Sequence, residues 1–185
     1  MFQKIAARIG CRVWGKWSTL LIMRNSFQIV GLPLAKFAPW FSLNETELEQ
    51  KGARRLIVDA KPGFPCRVSL ADAELGERVI LLPFTHQPVD SPYRASGPIF
   101  VRETAKEAAL APGEIPEVVC SRLMSVRAYD DEGMMVNAAV TAGSELEPHI
   151  AKLFANPRVS YLHLHNAGAG CYSCRVERTE VRLPA

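Results

Sequence analysis

The sequence predicts an α+β fold: one domain on a largely antiparallel β-sheet with two or three short helices. Three observations predict it. Short β-branched and aromatic runs such as FQIVGL, RRLIVDA, ERVILLPFT and PIFVRE recur along the chain and read as strands. Helical periodicity is confined to a few short stretches. Strands and helices follow no regular β-α-β alternation, which removes the parallel-sheet architectures. A chain of 185 residues suits one domain, and folding at this size buries roughly 70% of the surface that the unfolded chain exposes. With 48% hydrophobic residues, such a core needs no disulfide framework. Five cysteines at irregular spacings point to a reducing compartment, and a cytoplasmic location is expected.

The first 26 residues stand apart from the rest. They hold Lys4, Arg8, Arg12, Lys16 and Arg24 and no acid, which leaves 17 basic and 19 acidic residues for 27–185. The overall charge of +3 is too small to imply nucleic acid. Basic residues every four positions from Lys4 to Lys16 form a helical stripe beside Ile5, Ile9, Val13 and Trp17. The apolar run TLLIM is too short for a signal-peptide core, and no run reaches the roughly 20 apolar residues of a membrane span. The leader reads as a surface helix, a targeting presequence, or codons translated upstream of a start at Met23. The last is favoured, because the folded pattern begins only at SFQIVGLPL. The expected organisation is a basic leader over 1–26 outside the core and one α+β domain over 27–185.

The elements follow in order. Residues 27–32 form a strand, broken by Pro33 and Pro39. SLNETELEQ, 42–50, is a short helix capped by Asn44 or Ser42 with acids in its first turn. RRLIVDA is a strand that stops at Lys61-Pro62-Gly63, and CRVSL (66–70) is another. ERVILLPFT is apolar on both faces, which suits a central strand. PIFVRE is the next strand, and 117–124 make a short helical turn. MSVRAYD and MMVNAAV flank Asp131-Glu132-Gly133, a hairpin signal with glycine where positive φ is needed. ELEPHIAKLFA places Leu146, Ile150, Leu153 and Phe154 on one helical face. Ser144 and Glu147 have capping-box spacing there, with Pro148 as the alternative start, and Asn156-Pro157 ends the helix. The last hairpin joins RVSYLHLH to CYSCRVERTEV through NAGAG.

Two segments carry the chemistry. In HQPVDSPYRASGPI the prolines Pro88, Pro92 and Pro98 stiffen the backbone. Arg94 offers a planar fork for a carboxylate or phosphate. Ser96 and Gly97 can present a hydroxyl and a close backbone N–H to the same anion. His86 at the strand exit suits acid–base work with Asp90 orienting it, and Tyr93 lies beside Arg94. The same residues also fit a rigid loop in which Arg94 pairs with Asp90 and Tyr93 plugs the sheet edge. In RVSYLHLHN, alternation puts Val159, Tyr161, His163 and His165 on one face and Ser160, Leu162 and Leu164 on the other. Alternate residues stand about 6 to 7 Å apart along a strand, so both imidazoles can reach one metal or one ligand. Asn166 adds an amide at the strand end. His163, His165, Cys171 and Cys174 are zinc-ligand types, but an offset of three along a strand sends the two thiols to opposite faces. No metal or other cofactor is predicted.

SFQIVGLPL, KPGFPCRVSLADAELGERVILLPF, HQPVDSPYRASGPIFVRE, VRAYDDEGMMVNA and PRVSYLHLHNAGAGCYSCRVER together resemble a bacterial family of unknown function, DUF1203, from about Phe27 to Arg178. The resemblance implies a single domain and no established activity, cofactor or catalytic residue. It also implies that the stretch around Cys171 is typical of the family, whereas a thiol at Cys174 and the basic leader are not.

The reading placed first is a pocket for a small polar or anionic ligand, with His86 and His165 as catalytic acid–base candidates. Asp90, Tyr93, Arg94, Ser96, Gly97, His163, Asn166 and Cys171 are the binding candidates. A metal site on the His-x-His strand and a non-catalytic interaction module are the alternatives. The chain has no nucleophile elbow, phosphate-binding loop or Rossmann fingerprint.

Overall fold

The computed structural model describes residues 27–179; the expectations about the leader lie outside them. Among the described residues eight strands form two antiparallel sheets, with four short α-helices, so the fold is α+β as expected, but on two sheets rather than one and with one helix more. The five-stranded sheet has the order β1 (Phe27–Val30), β8 (Tyr172–Arg178), β7 (Tyr161–Asn166), β5 (Leu123–Tyr129), β6 (Met135–Ala142). The three-stranded sheet has the order β2 (Arg54–Ile57), β3 (Arg78–Gln87), β4 (Ala95–Arg102). Among the described residues no helix is long and apolar enough to cross a membrane.

One face of the large sheet is sealed by helices. Leu162 and Leu164 of β7, Met124, Val126 and Ala128 of β5, and Cys174 and Val176 of β8 pack with α3 (Glu117–Cys120) and α4 (Leu146–Phe154). Leu146, Ile150, Leu153 and Phe154 of α4 all enter this core, as their spacing requires. Burying four such side chains favours docking by roughly 6 to 12 kcal/mol. The Ser144–Glu147 capping box does not form: α4 starts at Leu146 after a 3₁₀ turn over 143–145, with no side-chain cap. Gly143 explains the tight entry, since a Cβ there would lie 1.9 Å from the Val119 carbonyl oxygen. Residues 117–124 are helical only to Cys120, because Leu123 already begins β5.

The small sheet is packed on both sides. Ile80 and Leu82 of β3 join Phe37, Leu48, Ile99 and Val101 beneath α1 (Ala38–Phe41) and α2 (Glu45–Gln50), while Val79 meets Val58 and Ala73 on the opposite face. This is why the strand reads apolar throughout. Asn44, not Ser42, caps α2: its side chain accepts from Glu47 N at 3.0 Å, and Glu47 accepts from Asn44 N at 2.7 Å. The run 66–70, expected as a strand, makes only an isolated bridge from Cys66 to Phe100. Its backbone groups serve several segments instead. Arg67 N donates to Phe100 O, Leu32 N donates to Arg67 O, and Ala108 N donates to Val68 O. With its partners so scattered, no ladder can form, and β-propensity loses to tertiary hydrogen bonding.

The sheets meet where β3 ends. Gln87 donates through Nε2 to the Tyr161 hydroxyl at 2.8 Å, and Ser91 Oγ donates to Gly133 O at 3.2 Å. Gly133 has φ +77° in the β5–β6 turn and lies so close to Val89 that an added Cβ would clash with it. Arg122 grips both carboxylate oxygens of Asp72 at 2.7 and 2.9 Å.

Candidate functional site

The second face of the large sheet carries polar and aromatic side chains, and the end of β3 closes over it. Strand alternation on β7 sets Tyr161, His163 and His165 there, opposite the leucines; Val159, which precedes the strand, instead enters the helix-covered core. Antiparallel register then decides their neighbours. His163 stands between Arg127 of β5 and Arg175 of β8, while His165 stands between Ser125 and Tyr172. Cross-strand neighbours on one face have Cβ atoms roughly 5 Å apart, so the sheet itself builds an arginine–histidine–arginine row.

His86 reaches this row from β3. Its ring lies 5.1 Å from His165 and 6.1 Å from His163 between centroids, and the two β7 histidines are 6.2 Å apart. Tyr172 stacks on His86 at 5.1 Å with planes 14° apart, and it meets the other two rings edge-on. Tyr129 and Tyr161 stack on each other and flank His163 at 5.2 Å each. Arg175 lies over the Tyr161 ring at 3.8 Å and beside Glu177. Behind Tyr172, Arg67 is buried and donates through Nε to the Tyr172 carbonyl at 2.7 Å and through a terminal nitrogen to the Pro65 carbonyl. Among the described residues neither Arg67 nor Arg127 forms an ion pair with a carboxylate.

The histidines are uncharged near neutral pH. Both β7 rings are 1% exposed. Burial pulls the His163 pKa down to about 3, and the charges of His165, Arg175, His86 and Arg127 add to it. Burial likewise pulls His165 down to about 4, helped by Arg127, His86 and Arg67 and opposed by its hydrogen bond to the Gly170 carbonyl. His86, half-buried, is lowered by burial and by Arg127, with the Phe84 backbone opposing the shift. Burial also lowers Arg67, partly offset by the thiols of Cys171, Cys66 and Cys174. His86 Nδ1, His163 Nδ1 and His165 Nε2 are buried with no hydrogen-bond partner. Buried polar atoms are nearly always paired, so three orphans in one cluster are unusual.

The structure thus brings together three of the residues singled out in the sequence: His86, His163 and His165. Tyr93 sits at the margin, its ring 6.3 Å from Tyr129. Arg94 is exposed, and among the described residues its side chain forms no hydrogen bond or ion pair, including none with Asp90. Ser96 and Gly97 lie within β4, opposite Thr85 and Phe84, and the Ser96 hydroxyl bonds that of Thr85 at 2.8 Å. The loop is accordingly shorter than expected, with β3 running through His86 to Gln87 and β4 starting at Ala95. Asn166 ends β7 and donates from its backbone to Cys171 O. Cys171 precedes β8 half-buried, its Sγ 3.8 Å from Ala169 O, whereas Cys174 packs in the core with its pKa pushed up to about 12 by burial. Among the described residues no three His, Cys, Asp or Glu side chains converge as metal ligands. A cavity of about 280 Å³ borders β1, lined in part by Gln28, Gly31, Val68 and Glu107, and shares no lining residue with the histidine cluster.

Arg67, Arg127, Arg175 and Tyr172 escaped the sequence reading. Alternation in MSVRAYD separates Arg127 from Val126 and Ala128, but nothing local says that its strand lies beside β7. The order of antiparallel strands, set by long-range pairing, supplies that. A family model described as "Protein of unknown function (DUF1203)" matches residues 63–178, which include β3, β7, β8 and every histidine and arginine of this cluster. The chain belongs to the DUF1203 family. Comparison with curated proteins and with solved structures gave no match. The matched span of the DUF1203 chain thus contains the whole cluster, whereas β1 and β2 precede it.

Proposed function

We propose that the protein binds a small anion where its two sheets meet, with His86, His163 and His165 as hydrogen-bonding groups and Arg127, Arg175 and Arg67 as the source of positive charge. One observation carries the reading: three uncharged imidazoles, each with one buried nitrogen left without a hydrogen-bond partner, stand beside arginines, two of which have no carboxylate partner. Positive charge gathered at low dielectric is costly alone and is relieved by an anion. The same arginines oppose a metal cation at these rings, which weighs against the metal alternative. His86, the least buried of the three, is the ring placed to exchange protons with a ligand.

The test is calorimetric titration of the full chain with inorganic phosphate, sulfate, acetate and glycolate at pH 7.5. The expected result is saturable binding of at least one anion. Arg127→Ala should weaken it by about tenfold or more, as expected for a lost hydrogen bond to a charged group. Arg54→Ala, exposed on β2, controls for net charge and should leave binding unchanged. No saturable binding in the panel, or binding indifferent to Arg127→Ala, would overturn the proposal.

A further inference from the structure

His165 imposes a condition on what can occupy this site. Its Nδ1 lies 2.9 Å from the Gly170 carbonyl oxygen. A carbonyl oxygen only accepts, so Nδ1 must carry the proton. Burial keeps the ring from taking a second proton near neutral pH. The other nitrogen, Nε2, is therefore a bare acceptor, and it is buried with no donor among the described residues. Its partner must be a donor or a cation. Arg127 and Arg67 both press positive charge on this ring, which disfavours a free cation. An anion with no proton of its own would satisfy the arginines and set its lone pairs against that of Nε2.

We propose that the ligand is an oxyanion carrying its own O–H donor, such as hydrogen phosphate or a hydroxy-carboxylate, with the O–H directed to His165 Nε2. This rests on the anion reading above and narrows it. The selectivity is steep in principle, because a site built to bond a ligand hydroxyl leaves a buried group unpaired when the hydroxyl is missing.

Matched pairs test it. At pH 8 inorganic phosphate and arsenate are chiefly dianions that retain one O–H, while sulfate and selenate have the same charge and shape and none. Glycolate and acetate differ in the same way among carboxylates. Methyl phosphate at pH 8 has lost its last proton and separates free phosphate from a phosphate monoester. In the pair that binds, the O–H member should bind at least about tenfold tighter, and His165→Gln, whose amide supplies an N–H donor, should bring that ratio close to one. If that variant fails to fold, nitrogen NMR of the wild-type ring decides. The Nδ1–H tautomer is expected, with the Nε2 resonance moving when phosphate or glycolate is added. Equal binding within a pair, or a proton found on Nε2, overturns the O–H requirement while leaving anion binding intact. Loss of all binding overturns both readings together.

Discussion

Lowering the pH from 8 to 5 should destabilise this protein through its buried histidines. The perturbation acts on His163 and His165, whose pKa values are held near 3 and 4 chiefly by burial, against about 6.5 in an unfolded chain. A group whose folded pKa lies below its unfolded value binds fewer protons in the native state. Its contribution is complete above about pH 6.5 and is lost as pH falls toward the folded pKa. Each ring then costs about 1.4 kcal/mol per pH unit, or about 2 kcal/mol at pH 5 and about 4 for the pair. Native domains are stable by only about 5 to 15 kcal/mol, so the change is large. His86 is shifted the same way and adds to it. Glu77, held at about 2 mainly by its hydrogen bond with Arg102, acts in a separate window below its ordinary carboxylate range. Urea unfolding at half-unit intervals from pH 8 to 5 is the assay. His163→Phe keeps a ring of similar outline, removes one titration and should remove about 2 kcal/mol of the loss at pH 5. A stability constant to within about 1 kcal/mol over this range, or a variant with the full wild-type loss, would refute the reasoning.

Two further outcomes follow from the packing. Gly143→Ala should destabilise by at least about 2 kcal/mol, because its Cβ would meet the Val119 backbone, which cannot move aside like a side chain; a denaturant midpoint unchanged from wild type would contradict the close approach. Leu164→Ala, in the helix-covered core, should cost about 2 to 5 kcal/mol. Leu123→Ala, exposed on the neighbouring strand, should stay within about 0.5 kcal/mol, and comparable losses for both would argue against the assigned faces.

Local pattern determined much of this fold. Alternation in YLHLH separated leucines from histidines, the Asp131-Glu132-Gly133 turn marked a hairpin whose glycine does take φ +77°, and the 146–154 periodicity named the four side chains that α4 buries. These depend on neighbours two to four residues away, so they are readable from the chain alone. The site was only half legible. His86, His163 and His165 stand out as unusual residues in the sequence, but locally His86 points only to Arg94 and the loop that follows it in the chain. The cations actually beside them are Arg127 and Arg175, brought in by the pairing of β5, β7 and β8, and Arg67, from a segment whose composition suggested a strand. Alternation tells which residues share a face of one strand; it does not tell which strand lies alongside or whether a second sheet covers that face. Those depend on contacts between residues well separated in the chain, such as Arg127 with His163 and Gln87 with Tyr161, and only the tertiary structure decided them. That closure is what turns two histidines on a strand face into buried, uncharged rings with nitrogens left to bond.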